Sequence, residues 1–343
     1  MYPIPTDMFS CSQKKLRNPI KKYCIAIKVK KSSEKLFIFT QLWTVMMKNE
    51  KIIAVGKMQE YIQAHITEPI SLYDLAQACG LSPWHASRIF KEALGKTPFE
   101  YISSCRMSQA ALRLRDGKVK VIDVAFDFVF DTHEGFTRAF ARQFGINPAK
   151  YKKDTPPIKL FLPYQIAHSN KNLLNKEKIM NQKTVFVQVI ERPARKMILK
   201  RGIKATEYFE YCEEVGCDIW GILVSIKEAL YEPVGLWLPS KMIPKGTSKY
   251  AQGVEVPADY SGLIPEGFDI ISLKPCKMMI FQGPPYNDEY FQNEILSLWE
   301  VMKTYDPRIY GFEWADGDAP RFQMEPKGYR GYIEGRPVKE TTK

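Results

Sequence analysis

A pattern of about 25 residues occurs twice in this chain, and no other feature narrows the possible folds so far. "DLAQACGLSPWHASRIFKEALGKTP", beginning at Asp74, is echoed by "DVAFDFVFDTHEGFTRAFARQFGINP", beginning at Asp123. The offset is 49 at the first helix and 50 at Phe90/Phe140, so the second turn is one residue longer. In the first copy, Leu72, Leu75, Ala76 and Cys79 recur at helical spacing behind Ser71, a natural N-cap. Gly80 supplies the left-handed residue that a tight helix-to-helix turn needs. Ser82 caps the next helix and Pro83 takes its first position, where a missing N–H costs nothing. Ala86, Ile89, Phe90, Ala93 and Leu94 form the buried stripe of that helix, and Trp84, Arg88 and Lys91 fall on the opposite side. In the second copy Val124, Ala125 and Phe128, then Phe136, Ala139, Phe140 and Phe144, make the apolar faces. His133, Glu134, Thr137, Arg138 and Arg142 are left outside. A single copy would read equally well as a plain αα-hairpin with Trp84 packed into a neighbour. Two copies, each ending in a polar, basic helix, spell helix-turn-helix.

Between the copies, Pro98–Arg115 reads as one helix with an apolar side at Phe99, Ile102, Arg106, Ala110, Leu112 and Leu114. Such a helix spans roughly 27 Å at 1.5 Å per residue, and two recognition helices on that spacer suit major-groove faces about 34 Å apart. Asp74–Lys153 resembles the double helix-turn-helix DNA-binding domain of AraC/XylS-type transcription regulators, on "LAQACGLSPWHASRIFKEALGKTPFEYI" and "VAFDFVFDTHEGFTRAFARQFGINPAKYKK". The resemblance implies that both recognition helices enter adjacent major grooves of bent DNA. By position, Trp84, Ser87 and Arg88, with Lys91 beside them, face bases or phosphates from the first helix. Thr132, His133, Thr137, Arg138 and Arg142 do so from the second. Arginine is the commonest reader of guanine edges, and an indole edge can lie against a thymine methyl. One departure stands out. The family's turn glycine is Val129 in the second copy, and a β-branched residue is costly at positive φ. Either the longer turn avoids that conformation or the second unit is looser.

Charge supports a polyanion partner at the front only. Of 343 residues, the first 48 carry ten basic against two acidic side chains, residues 49–154 fifteen against twelve, and residues 183–343 twenty-one against twenty-three. Residues 1–48 read as a disordered basic tail or as an artefact of the start site. The run "LFIFTQLWTVMM" within them is too short and too interrupted to span a membrane. Seven cysteines without a metal-type pair, and only four histidines, read as free thiols of a reducing compartment, with no cofactor. The expected location is the cytoplasm, at the nucleoid.

The prolines of "KDTPPIKLFLPYQ" and a polar run mark a linker over 155–182. Beyond it the plan changes. "TVFVQVIERPARKMILKRG" reads as two strands joined at Arg192-Pro193, "GCDIWGILVSIKEAL" as a helix, and "PVGLWLP" and "KYAQGVEVP" as strands. "KPCKMMIFQG" then repeats "RPARKMILKRG" with Pro275 82 residues after Pro193. "DEYFQNEILSLWEVMKTY" supplies the matching helix, and "PRFQMEP" and "YRGYIEGRPV" the closing strands. A duplicated β-β-α-β-β unit predicts a pseudo-two-fold domain with a ligand-sized groove. Residues 183–340 resemble the GyrI-like effector-binding domain, a duplicated α+β fold of SH2-motif repeats, on "YAQGVEVP", "CKMMIFQGPPY" and "YIEGRPVK". The whole is then multi-domain and Rob-like in architecture: an all-α double helix-turn-helix domain over 49–154, followed by this α+β domain.

That resemblance implies a pocket for small amphiphiles, often aromatic and cationic, which need π-faces and a desolvated carboxylate. Trp237, Tyr286, Trp299, Trp314 and Phe322 supply the faces. The family's carboxylate falls near Gln323, with Glu325 and Glu255 as the nearest acids, which puts a cationic ligand in doubt. The expected function is a ligand-controlled transcription regulator, an activator working with RNA polymerase on promoter DNA, and not an enzyme. The alternative is a GyrI-like small-molecule hydrolase using Glu255 or Glu325. No nucleophile–base pair or phosphate loop appears; the back half has no histidine, and His168 lies in the linker.

Overall fold

The computed structural model describes residues 50–163, 184–216 and 218–341. The basic tail over 1–48, most of the linker, Cys11, Cys24, Cys217 and His168 lie outside them. Among the described residues seven helices make the front half: α1 over 50–64, α2 (Leu72–Cys79), α3 (Pro83–Leu94), α4 (Pro98–Asp116), α5 (Val121–Asp127), α6 (His133–Phe144) and α7 (Pro148–Asp154). Local chemistry sets their boundaries. Ser71, Ser82, Thr97, Thr132 and Asn147 each accept a backbone N–H at a helix start, and Ser71 and Thr97 form full capping boxes with Asp74 and Glu100. Gly95 and Gly145 close α3 and α6 in the left-handed conformation.

The two turns are closed by one hydrogen-bond pattern. Gly80 N and Leu81 N donate to Gln77 O and Ala76 O; Val129 N and Phe130 N donate to Phe126 O and Ala125 O. Val129 sits at φ 64°, against 71° for Gly80, so the longer second turn does not avoid the left-handed region. The extra residue enters after it, as Asp131 before the cap Thr132.

Two cores flank α4. Its first half, with Tyr101, Ile102 and Cys105, packs with α1, α2 and α3; its second half, with Met107, Ala110, Ala111 and Leu114, packs with α5, α6 and α7. The sequence places Phe99 on the apolar side of this helix, but Phe99 is exposed and Tyr101 takes the inward position. The reason is that α4 is covered on more than one side, so a single stripe does not describe it. Residues 155–163, neither helix nor strand, pack beside α4: Phe161 N donates to the buried Ser108 Oγ at 2.7 Å, and the Phe161 ring meets Tyr101 edge-on at 5.2 Å. The start of the expected linker is therefore a packed strap.

The back half is a nine-stranded antiparallel sheet with three helices: β1 (Phe186–Arg192), β2 (Arg195–Arg201), α8 (Tyr208–Val215), α9 (Ile219–Ser225), β3 (Val234–Trp237), β4 (Tyr250–Pro257), β5 (Asp269–Leu273), β6 (Cys276–Gln282), α10 (Phe291–Thr304), β7 (Phe312–Trp314), β8 (Arg321–Met324) and β9 (Ile333–Glu340). The helix expected over "GCDIWGILVSIKEAL" is only the short α9, and α8, ended at Gly216, precedes it. The strand order β1-β6-β9-β8-β3-β4-β2-β5 reads the same from either end once β1/β5, β2/β6, β3/β8 and β4/β9 are exchanged. The duplication is thus a pseudo-two-fold. β1 and β2, consecutive in sequence, do not pair with each other; β1 pairs with β6 and β2 with β5 in one continuous antiparallel register, which sets Pro193 opposite Pro275. Neither proline has an N–H to contribute to a ladder, so the pairing breaks there and the sheet bends back on itself.

The two halves meet at α9. Ser225 Oγ accepts from Ile158 N at 2.9 Å, the Arg115 guanidinium donates to Val224 O at 2.5 Å, and Lys159 pairs with Asp218. A Cβ at Gly221 would collide with the Leu160 carbonyl.

Two outcomes follow from these packings. Gly80→Ala should cost about 1 kcal/mol of unfolding free energy through backbone conformation alone, because a Cβ there meets open space. Val129→Gly should gain a similar amount, and urea midpoints at constant slope read both. Gly221→Ala should push the strap away and strip hydrogen-exchange protection from the Ile158 and Phe161 amides; retained protection would show that the strap is held without α9.

Candidate nucleic-acid interface and ligand site

Equivalent positions of α3 and α6 carry the outward cations. Arg88 and Arg138 each lie six residues after the caps Ser82 and Thr132, and both are exposed with the back half in place. Trp84 is 71% exposed, far more than an indole with a packing role needs. Arg88 stacks on it at 5.1 Å and lies 3.8 Å from Glu92, so the pair is preset on the helix surface. Lys91, Thr132 and Arg142 are exposed; His133 and Ser87 are half-buried. Thr137 departs from expectation. Its hydroxyl is buried and without a hydrogen bond among the described residues. The position borders the Phe136/Phe140 stripe, and the residue is half-buried.

In the back half, side chains alternate between two faces of the sheet, and the expected ligand residues divide between them. One face carries the helices. There the wholly buried Glu334 accepts from Trp299 Nε1, from Arg321 Nε at 2.9 Å, and from the Tyr332 hydroxyl at 2.7 Å. Tyr332 also lies 3.1 Å from Gln323 Oε1, and Gln323 Nε2 donates to the Tyr250 hydroxyl at 2.8 Å. Burial raises the hydroxyl pKa of both tyrosines, so they stay protonated. Arg321 lies over the Trp237 ring at 4.7 Å, and Trp237 Nε1 donates to Thr206 O at 3.0 Å.

The other face encloses a cavity of about 220 Å³, walled by residues of every strand except β7, Phe322 among them. Glu255 lies at its wall between two guanidiniums: Arg192 and Arg195, the latter at 2.7 Å.

Three expected residues stand apart from both groups. Tyr286 packs beside α10 with its hydroxyl buried; Trp314 packs near Phe281 and Tyr305 beneath Arg336; Glu325 lies past the end of β8, half-exposed and paired with Lys327 at 3.0 Å. The sequence reading missed Arg192, Arg195, Tyr250, Arg321, Tyr332 and Glu334. The available signal was Tyr332 and Glu334 at i, i+2 on a strand between apolar neighbours, a spacing that puts both on one face.

A paired helix-turn-helix half with outward cations, joined to a duplicated β-rich half, defines a modular helix-turn-helix protein. Residues 75–154 match a family described as a helix-turn-helix domain. The chain is 34% identical over 108 residues to the transcriptional regulator Rob of Salmonella typhimurium, covering 29% of this chain and 37% of that protein. It is 33% identical over 98 residues to the HTH-type transcriptional activator AarP of Providencia stuartii, covering 29% of this chain and 73% of AarP. Among solved structures, the C-terminal domain of AraT, a response regulator from Geobacillus stearothermophilus, is 28% identical, with a TM-score of 0.28 over 29% of this chain and 84% of that one. The chain belongs to the AraC family of helix-turn-helix proteins. Its match spans little more than a third of the length of Rob. Among the described residues no helix is long and apolar enough to cross a membrane.

Removing Arg321 tests the Glu334 cluster. Arg321→Ala leaves a fully buried carboxylate with two neutral donors, and should cost about 2 kcal/mol of stability, less than a wholly buried pair because Arg321 is itself part-exposed. Glu334→Gln in the same background should recover part of it in a double-mutant cycle read by urea denaturation.

Proposed function

We propose that this chain is a sequence-specific DNA-binding transcription regulator, an activator that works with RNA polymerase, under the control of a small molecule bound in a GyrI-like C-terminal domain. The observation that supports DNA reading best is the pair Arg88 and Arg138, exposed at equivalent points of two capped helices. A planar guanidinium aimed outward from the first turns of such a helix matches the two acceptors of a guanine edge. Lys91 and Arg142, further along, suit phosphates. Supporting ligand control, the cavity belongs to the same domain as α9, and α9 joins the core beneath α6 through Val224. A molecule that shifts the sheet has a packed route to the second recognition helix.

The hydrolase alternative asks Glu255 or Glu325 to act as a base. Glu255 is held by two guanidiniums, which lower the basicity of a carboxylate, and Glu325 lies outside the cavity wall.

Binding measurements on operator fragments selected from random DNA separate the roles. Arg88→Ala should lose about 1–3 kcal/mol of specific binding and relax one base position. Lys91→Ala should weaken all sequences alike and reduce the salt slope by about one. Unchanged base preference in Arg88→Ala would remove direct readout by the first helix.

A further inference from the structure

We infer that the cavity inside the sheet is a site for a compact amphiphile bearing an anionic group, in place of the cationic ligand that the sequence resemblance implies. The inference rests on reading the C-terminal domain as a ligand-binding one, and it names the ligand class. The cavity's size and walls set the body of the guest. Met197, Leu236, Ile280, Phe322 and Met324 present apolar surface around about 220 Å³. An apolar cavity of about 150 Å³ accepts benzene, so this one suits a saturated or aromatic ring with a short arm.

Charge sets the head group. Arg192 and Arg195 both line the cavity, and one carboxylate, Glu255, serves both. Two buried guanidiniums on one buried carboxylate leave a positive charge in excess. The donors of Arg195 are committed: Nε to Glu255, Nη1 to Pro193 O at 3.1 Å, and both terminal nitrogens lie 3.7 Å from Cys276 Sγ. Arg192 differs. Its side chain is about nine-tenths buried, it lies over the Tyr231 ring at 4.4 Å, and its Nε–H is buried with no partner among the described residues. Leaving such a donor unpaired is costly, and a carboxylate oxygen beside it would satisfy it and balance the cluster. The other acid on the wall, Glu232, is already met by Arg330 and by Lys327 at 3.2 Å.

No equivalent case exists for a cation. On the opposite face, Glu334 is filled by Arg321, Tyr332 and Trp299. A guest cation would have to displace Arg321 there, or enter a cavity whose spare charge is positive.

Calorimetric titration of the full chain with three near-isosteric probes at neutral pH decides the matter: cyclohexylacetate, cyclohexylacetamide and 2-cyclohexylethylammonium. The acetate should bind at least about tenfold more tightly than the amide, and the ammonium should give no saturable heat. Arg192→Gln should bring the acetate down to the amide's affinity, while Arg192→Lys, which keeps the charge, should retain most of the preference. Tightest binding by the ammonium, equal binding of acetate and amide, or no binding by any probe would overturn the assignment. So would an unchanged preference in a folded Arg192→Gln protein; if that variant loses its fold, the probe series on the unaltered chain still decides. Acetate that binds without changing affinity for operator DNA would leave this site standing and remove ligand control of DNA binding.

Discussion

Burial of α4 from more than one side is the constraint on which the helix-turn-helix half depends. The two helix-turn-helix units share no core of their own: one gathers around Tyr101, Ile102 and Cys105, the other around Met107, Ala110, Ala111 and Leu114. What relates them is the stiffness of the 19 residues that carry both sets. A helix bends little over such a length, so α3 and α6 are presented in a fixed relation, and the side chains that need solvent access stay clear of both cores. The strap adds a second tie. Ile158 and Leu160 enter the rear core, and Phe161 packs against the front one. One short segment therefore spans the same two clusters as α4 and resists their separation.

The back half solves a different problem, how to close a duplicated sheet. Two prolines at the pseudo-two-fold interrupt pairing where the strands must pass from one half to the other. The bend produces two unlike faces. One is covered by helices and stores its acid, Glu334, inside a complete set of donors. The other stays hollow, with two arginines sharing one carboxylate, Glu255, at its wall. A buried charge with incomplete partners is expensive, and that expense makes the hollow face the more informative one about ligands.

Much of this was legible in the sequence where the signal was local. Caps and turns were, because Ser71, Ser82, Gly80 and Pro83 act through their own backbone neighbours. The outward placement of Trp84, Arg88 and Arg138 followed from helical period alone. Failures came where one residue answers to two neighbours. Phe99 was read as buried and Tyr101 was not, because α4 is covered on several sides. Thr137, on the border of a stripe, has its hydroxyl buried. Val129 took the strained φ despite its branched side chain, since closure of the second turn requires a left-handed residue there. In the back half the strands other than β7 were found, but their partners were not: nothing in a short sequence window tells β1 to pair with the distant β6 rather than with β2 next to it.

By itself, then, the amino-acid order determined the repeated helix-turn-helix units, their boundaries, their outward cations and the existence of a second, duplicated half. Those depend on contacts within a few residues, where period and side-chain type suffice. Tertiary structure alone decided which buried charges are balanced and where one is in excess. The partners of Glu255 lie 60 and 63 residues away, and Glu334, besides its near neighbour Tyr332, is met from another strand and from α10. The charge balance of a site is a sum over groups that only folding brings together, so no reading along the chain could assign it.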